Sequence, residues 1–287
     1  MFLYDFEMKR IKEISVAIQG IATCFHEVAA HTYFGKGIKT VECLSFHALC
    51  ESLKKEETDF AVMAIENSIA GSILPNYFLL QEYHFSIVGE LYVPIHMHLL
   101  ALPGVELTDL TLIESHPMAI RQCSEFLHSL NNVTIVESED TALSARHVME
   151  LQRKNVAAIA NEFAAKKFGL QILKRRIETH KKNFTRFLVL TRKQPVAELG
   201  NKASLYFEVS HSIGSLADIL TNFKKNQLNL TKIQSIPIIG RPQEYLFHVD
   251  VEWRDRSGFE KSIKQVSKHV GNLNVLGEYK KGKIEIN

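Results

Sequence analysis

Short apolar runs alternate with amphipathic stretches along the first two thirds of the chain, a pattern typical of α/β proteins. The run 14–18 ends at a Gln-Gly turn, and apolar positions over 25–34 then recur at helical spacing. Strands are predicted again at 41–44 and 60–65, with a helix at about 46–54 between them. Because strands and helices alternate, we expect a parallel sheet flanked by helices.

The alternation continues to residue 192 and predicts two α/β lobes of similar size. We expect one lobe at about 8–84 together with 177–192, and the other at 85–176. Ser115 is the predicted N-cap of a helix that runs to about 130, and Asp140 that of the following helix. The other predicted strands are 86–92, 96–101, 111–114, 157–160 and 185–190, and the other predicted helices are about 74–83, 141–152 and 161–168.

The last third of the chain has a different order of elements. Strands at 203–209, 228–236, 244–251 and 272–279 enclose helices at 214–223 and 259–269. This βαββαβ order predicts a ferredoxin-like unit over 201–281. A stretch with Pro195 and Gly200 precedes it and is the expected linker after a first domain at 8–192.

Composition and charge exclude several classes of protein. The chain has 287 residues, which suits two domains, and its net charge of +2 with no long basic run argues against nucleic-acid binding. Four cysteines without a C-x-x-C pair predict neither a disulfide framework nor structural zinc, and a reducing cytoplasm is the expected location. No apolar run approaches the roughly 20 residues that span a bilayer, so no membrane association is expected.

Three motifs of the first domain point to one family. They read Glu66-Asn67-Ser68-Ile69-Ala70-Gly71, Ser115-His116-Pro117-Met118-Ala119-Ile120-Arg121-Gln122-Cys123, and Asn183-Phe184-Thr185-Arg186-Phe187. With 140–142 and 157–160 they stand in the order and at the spacing of the prephenate dehydratase family, which the chain resembles from about residue 12 to about 280. The family's opening loop, G-P-x-G-T-[FY]-S, matches only in part, as Gly20-Ile21-Ala22-Thr23-Cys24-Phe25-His26, and Ala64 replaces the proline that usually precedes E-N-S.

The tail resembles the ACT domain that is fused to such enzymes. The family's G-A-L, N-L-T-K-I-E-S-R-P and Y-x-F-x-x-D stretches stand here at 214–216, 229–237 and 245–250, with Gln234 and Ile236 in place of the usual Glu and Arg. By this resemblance, L-phenylalanine is the expected effector, and ACT pairing implies a homodimer or a homotetramer. The implied effector-binding residues are Gly214, Ser215, Leu216, Asn229, Leu230 and Thr231.

The resemblance implies a two-lobed, periplasmic-binding-protein-like α/β catalytic domain followed by the ferredoxin-like ACT domain. It also implies a hydro-lyase that converts prephenate to phenylpyruvate, CO₂ and water, with no metal or organic cofactor. Thr185 is then the residue essential to activity, as a hydrogen-bond donor to the departing hydroxyl. The expected substrate-binding residues are Thr23, Glu66, Asn67, Ser68, Ser115, His116 and Arg186.

The roles of these residues differ. Arg186 offers a bidentate fork for a carboxylate, whereas Glu66 is expected to orient Asn67 because a carboxylate suits a dianion poorly. His116 either protonates the leaving group, holds a carboxylate or simply caps its helix. Thr23 is expected to contribute a hydroxyl from the first loop.

Two other classes of protein stay open on the sequence. Two α/β lobes around a cleft also describe solute-binding proteins, although the missing signal-peptide pattern and the attached ACT domain argue against that class. A catalytically inactive amino-acid sensor is compatible with the altered first loop. A metal site at His96 and His98 is disfavoured because no carboxylates stand nearby at suitable spacing.

Overall fold

The computed structural model describes residues 13–192, 200–210, 212–238 and 240–284. The start of the predicted first domain and most of the predicted linker therefore lie outside the described residues. In chain order, the elements up to residue 94 are β1 (Ile14–Gln19), α1 (Phe25–Phe34), β2 (Ile38–Cys43), α2 (Phe46–Lys54), β3 (Phe60–Asn67), β4 (Gly71–Ser72), α3 (Leu74–Tyr83) and β5 (Ser86–Pro94).

A second group of elements follows. It comprises β6 (His98–Ala101), β7 (Leu112–Ser115), α4 (Pro117–Gln122), α5 (Ser124–His128), β8 (Thr134–Glu137), α6 (Thr141–Leu151), β9 (Val156–Ala160), α7 (Glu162–Phe168), β10 (Gln171–Lys174) and β11 (Phe184–Thr191). The last group comprises β12 (Lys202–Glu208), α8 (Ser215–Lys225), β13 (Asn229–Pro237), β14 (Tyr245–Glu252), α9 (Arg256–Val266) and β15 (Gly271–Tyr279).

Two mixed sheets form the first two thirds of the molecule. The first sheet has the order β2-β1-β3-β11-β5, with β4 beside β3, and the second has the order β10-β6-β9-β7-β8. β1 runs parallel to both β2 and β3, as the alternating pattern predicts, and β11 returns antiparallel between β3 and β5. β5 belongs to the first sheet, so the predicted lobe boundary at residue 84 is wrong and the chain changes lobes after Pro94.

The helix predicted from 115 to about 130 is in fact two short helices. α4 ends at Gln122, and Cys123 has φ −105° and ψ 17°, which is outside helical geometry. Ser115 is not the N-cap, because it is the last residue of β7 and His116 caps the helix instead. The cap at Asp140 is confirmed, since its side chain accepts bonds from the N–H groups of Ala142 and Leu143.

The C-terminal residues 202–279 form the predicted βαββαβ unit, here called the C-terminal domain, with the antiparallel sheet order β13-β14-β12-β15. This sheet packs directly on the first sheet through a shared core that includes Ile87, Leu188, Leu246 and Leu276. A Cβ added at Gly277 of β15 would lie 1.9 Å from the carbonyl oxygen of Ile87 in β5. The two units are therefore in close backbone contact.

Within the described residues, no helix has both the length and the apolar character that crossing a membrane requires.

Candidate active site

A cavity of about 340 Å³ opens where the carboxyl ends of β1 and β3 face the second lobe. Its walls are largely apolar, with Phe25, Phe46 and Phe187 from the first lobe and Met118 from the second among them. Ligands in open α/β sheets bind at this end of the strands. A wider groove of about 700 Å³ lies on the C-terminal domain, remote from the cavity residues, and Asn229 is among its lining residues.

Thr185 lies at the cavity beside Asn67, directly opposite it in the antiparallel pairing of β11 with β3. The Asn67 Nδ2 group donates to the Thr185 Oγ1 atom at 3.0 Å. The Oδ1 atom of Asn67 accepts bonds from the backbone N–H groups of Ile69 and Ala70, which fixes which end of the amide points at Thr185. Thr185 is therefore held as an acceptor, and its own proton can point into the cavity.

Two further amides, neither of which has a predicted role in the site, complete this arrangement. Asn67 Nδ2 also donates to Asn183 Oδ1 at 2.8 Å, and Asn183 Nδ2 donates to Gln122 Oε1 at 2.9 Å. Asn183 is fully buried, and Gln122 comes from α4 of the second lobe. The network therefore joins the two lobes behind Thr185. Both residues stand inside the recognised motifs, but only the fold brings them into contact.

His116 lines the cavity as a neutral cap. Its Nδ1 atom accepts the N–H of Met118 at 3.1 Å, so a neutral ring carries its proton on Nε2. Burial lowers the pKa of His116, although the Asp140 carboxylate partly opposes the shift. The helix-capping role is the one that the geometry supports, and an Nε2–H donor remains for a ligand.

Asp140, predicted only as a helix N-cap, also lines the cavity. Its Oδ1 atom accepts the N–H groups of Ala142 and Leu143, and burial raises the pKa of this carboxyl group despite those bonds. Among the described residues that line the cavity there is no lysine or arginine. Glu139 lines it beside Asp140, so an anionic ligand there is bound by neutral donors and not by a cationic side chain.

The first loop supplies the start of α1 to this cavity. Its N-cap, Cys24, makes no side-chain cap bond, and both Cys24 and Phe25 line the cavity, so the positive end of the α1 dipole lies at its wall. The Cys24 thiol donates to the Gln19 carbonyl, and burial raises its pKa to about 12. This thiol is therefore neutral and is not a nucleophile at ordinary pH.

Thr23 differs from its predicted role. It stands where the family has glycine, has a left-handed φ of 76°, and its buried hydroxyl has no partner among the described residues. Its carbonyl accepts a bond from Asn161, and the side chain does not line the cavity. A β-branched residue in this region of backbone space stores strain of about 1–3 kcal/mol.

His26 and Ala64 form a linked pair of departures from the family pattern. The Ala64 N–H, which a proline would lack, donates to His26 Nε2 at 3.3 Å. Burial lowers the pKa of His26 to about 3, so the ring stays neutral and acts as an acceptor.

Besides Thr23, four predicted substrate contacts do not line the cavity. Ser115 is fully buried and donates to the Ile159 carbonyl at 2.7 Å, which ties β7 to β9. Ser68 is exposed and accepts the Phe184 N–H at 3.0 Å, which closes the ends of β3 and β11. The other two, Glu66 and Arg186, face the C-terminal domain.

Arg186 is not available to a substrate carboxylate, so the expected fork is wrong. Its side chain is 4% exposed and is paired with Glu90, at 2.7 Å from Nε to Oε2, and with Asp250 of β14. Glu66 does not orient Asn67, since its Oε1 atom accepts from Lys232 Nζ of β13 at 2.5 Å. Side chains alternate along a strand, and these two point opposite to Asn67 and Thr185.

The predicted effector residues also separate into two groups. Ser215 and Leu216 line a cavity of about 330 Å³ together with Tyr245 and Phe247. Asn229 instead lines the wide groove, as noted above, and Leu230 and Thr231 follow it in β13, past the far end of α8. Gly214 is the N-cap of α8, with a left-handed φ of 85°.

Known proteins resemble the chain over nearly its whole length. The family model described as prephenate dehydratase matches residues 16–195. A bifunctional chorismate mutase/prephenate dehydratase of Buchnera aphidicola subsp. Schizaphis graminum is 31% identical over 272 residues, which cover 92% of this chain and 70% of the relative.

Two solved structures share the fold. The prephenate dehydratase of Arthrobacter aurescens in complex with L-Phe matches with a TM-score of 0.84 and 26% identity, over 93% of this chain and 90% of its own. GqqA, described as a novel type of quorum quenching acylase, matches with a TM-score of 0.83 and 29% identity, over 92% of this chain and 97% of its own. Since the family model covers well over half of the sequence, the chain belongs to the prephenate dehydratase family, whose members are hydro-lyases.

Proposed function

We propose that this protein converts prephenate to phenylpyruvate, CO₂ and water. The observation that carries the proposal is the Thr185 hydroxyl, held at the cavity by the Asn67 amide at 3.0 Å. In the reaction the bond between the ring and its carboxylate breaks, and its electron pair enters the ring as the C–O bond to the hydroxyl breaks. The departing hydroxyl takes up one proton and leaves as water.

Thr185 assists this departure as a hydrogen-bond donor. An unassisted threonine hydroxyl is far too weak an acid to ionise, so its proton must move in concert with cleavage or be replaced through a relay. His116 offers a second neutral donor at the cavity through Nε2. Fixed donors aimed at the departing oxygen stabilise charge that develops only in the transition state.

The apolar walls assist the loss of CO₂. A carboxylate beside Phe25, Phe46 and Phe187 is poorly solvated, and it becomes neutral CO₂ as the reaction proceeds. The start of α1 and the amide network provide neutral hydrogen-bond donors for the substrate's oxygens. This division of the cavity suits a ligand with a carboxylate, a hydroxyl and a ring.

The test is the formation of phenylpyruvate from prephenate by the purified protein. We expect turnover well above the spontaneous rate, with CO₂ released in equal amount. A rate equal to that of buffer alone, from protein that is folded by circular dichroism, would exclude the proposed activity and favour the amino-acid sensor.

We also propose that the C-terminal domain is an ACT domain that binds L-phenylalanine. The cavity beside Ser215 and Leu216 supports this, since its aromatic wall of Tyr245 and Phe247 suits a phenyl ring. The second group of effector residues, Asn229 to Thr231, is then supplied by a partner copy in a homodimer or homotetramer. Ile236, which stands where the family usually has arginine, is 1% exposed in the core shared with the first sheet. This difference from the family therefore changes the packing of the core.

Calorimetry with L-phenylalanine, and with D-phenylalanine as the control, tests the effector. We expect saturable binding of the L form only, together with slower prephenate turnover. Sedimentation at several protein concentrations tests the assembly, and a monomer that still binds the L form would contradict the shared site.

A further inference from the structure

Three ion pairs between described residues join the first sheet to the C-terminal domain, one of them between Glu90 of β5 and Lys202 of β12 and the other two directly behind the active site. Lys232 of β13 donates to Glu66 at 2.5 Å and to the Ser72 hydroxyl at 2.7 Å. Arg186 of β11 pairs with Asp250 of β14, and both side chains are more than nine-tenths buried. We call Glu66, Arg186, Lys232 and Asp250 the charge quartet.

The quartet is matched in register on both sides of the interface. Arg186 lies opposite Glu66 in the pairing of β11 with β3, and Lys232 lies opposite Asp250 in the pairing of β13 with β14. Within the quartet, each sheet presents one positive and one negative side chain, and each charge meets its opposite. Such an arrangement fixes a single relative position of the two sheets, because a slip leaves buried charges unpaired.

The next register pair along the same two strands is Thr185 and Asn67. These two side chains point to the cavity, whereas Arg186 and Glu66 point to the C-terminal domain. Adjacent residues of a strand share one backbone, so a shift imposed on one pair moves the other. A 1 Å displacement of a catalytic group can reduce turnover by about two orders of magnitude.

The buried part of the quartet keeps its charges. Burial alone would lower the pKa of Arg186, but Asp250, Tyr279 and Glu90 hold it well above its ordinary value. Burial alone would raise the pKa of Asp250, but Arg186 and Lys202 hold it below its ordinary value. The contact is therefore an ion pair over the whole working pH range.

We propose that the charge quartet is the positioning device through which the C-terminal domain sets the geometry of Thr185 and Asn67, and thereby the rate of turnover. This rests on the proposed prephenate dehydratase activity. Glu66 and Lys232 are positioning residues, since they act through the strand and do not touch the substrate.

A double-mutant cycle on the more exposed ion pair tests the device. We expect Lys232→Met and Glu66→Gln each to lower kcat about tenfold with KM changed less than twofold, since each breaks the same pair. The double variant should be no worse than either single variant. Arg256→Met is the matched control, because it breaks a pair with Glu278 inside the C-terminal domain, and its kcat should be unchanged.

Hydrogen exchange gives a readout that does not require turnover. The N–H groups of Ile69 and Ala70 are bonded to the Asn67 side chain, so their exchange should be faster in Lys232→Met and unchanged in Arg256→Met. Unchanged exchange, or additive losses of kcat in the double-mutant cycle, would contradict the positioning role of the charge quartet. Faster exchange in a protein that never turns over prephenate would support the device and contradict only the proposed activity.

Discussion

The two faces of the first sheet hold opposite kinds of chemistry within one register step. The face toward the cleft carries the neutral pair Asn67 and Thr185, and the face toward the C-terminal domain carries the ionised pair Glu66 and Arg186. The difference teaches that charge on this sheet secures the domain interface, whereas the proposed reaction depends on neutral donors in fixed positions. Substitutions on the cleft face should change rates, and those on the domain face should change stability or coupling.

Among substitutions on the cleft face, Thr185→Ala should have the largest effect on turnover. We expect kcat to fall about 10²–10⁴-fold, because the donor to the departing hydroxyl is lost. Thr185→Ser keeps the hydroxyl and should stay within about tenfold of the native rate. Steady-state assays check both variants, and near-native turnover by the alanine variant would remove Thr185 from the mechanism.

Arg186→Met should have the largest effect on stability. It leaves Asp250 buried without its paired cation, whereas Glu90 keeps Lys202 at 3.0 Å, and losing one partner of a buried pair costs about 3–5 kcal/mol. Arg256→Met, at a half-exposed pair, should cost at most about 1 kcal/mol. Urea unfolding followed by fluorescence compares them, and equal losses would show that burial of the interface charges does not matter.

Asn183→Leu should affect both rate and stability, because it removes the central amide of the cleft face. We expect the free energy of unfolding to drop by about 1–3 kcal/mol, since Asn67 and Gln122 lose a buried partner. We also expect kcat to fall about tenfold as the Asn67 amide loosens. A variant that loses stability with unchanged kcat would confine the network to a structural role.

Acid should weaken the fold through two buried histidines, His26 of α1 beside the cavity and His248 of β14, which contacts Gln81 and Tyr77 of α3. Burial lowers the pKa of His26 to about 3 and that of His248 to about 4, so neither binds a proton in the folded state at pH 5.5. The unfolded chain binds these protons below pH ~6.5. The free energy of unfolding therefore decreases as the pH is lowered, by about 1.4 kcal/mol per histidine at pH 5.5. The loss continues down to the folded pKa of each ring.

The variants His26→Gln and His248→Gln should each remove one proton from this pH dependence, since glutamine does not titrate. Glutamine can still accept a hydrogen bond. Unfolding free energies measured from pH 7.5 to 5 should show a shallower slope for each. A native slope in either variant would mean that its histidine is protonated in the folded protein.

The sequence predicted local structure and motif chemistry better than contacts made at a distance. Apolar periodicity gave the α/β lobes and the βαββαβ tail, because it reports which face of an element is buried. It assigned β5 to the wrong lobe, because strand pairing depends on partners that are far away in sequence. Likewise, nothing local shows that Asn183 meets Gln122 from the other lobe.

The candidate site shows the same limit. The motifs correctly brought Asn67, Thr185 and His116 to one cavity. They also suggested Glu66 and Arg186, although alternation along a strand sends neighbours to opposite faces. Applied within each motif, that rule would have separated the two pairs. It would not have found their partners in the C-terminal domain.

The hydrogen bond from Ala64 to His26 constrains how this sequence can evolve. Restoring the family's proline at position 64 by itself would remove the only backbone donor that position offers and leave a buried ring nitrogen without it. Replacing His26 first would free the position, so the two reversions are acceptable in one order and harmful in the other. The effect of a proline at position 64 therefore depends on which residue stands at position 26.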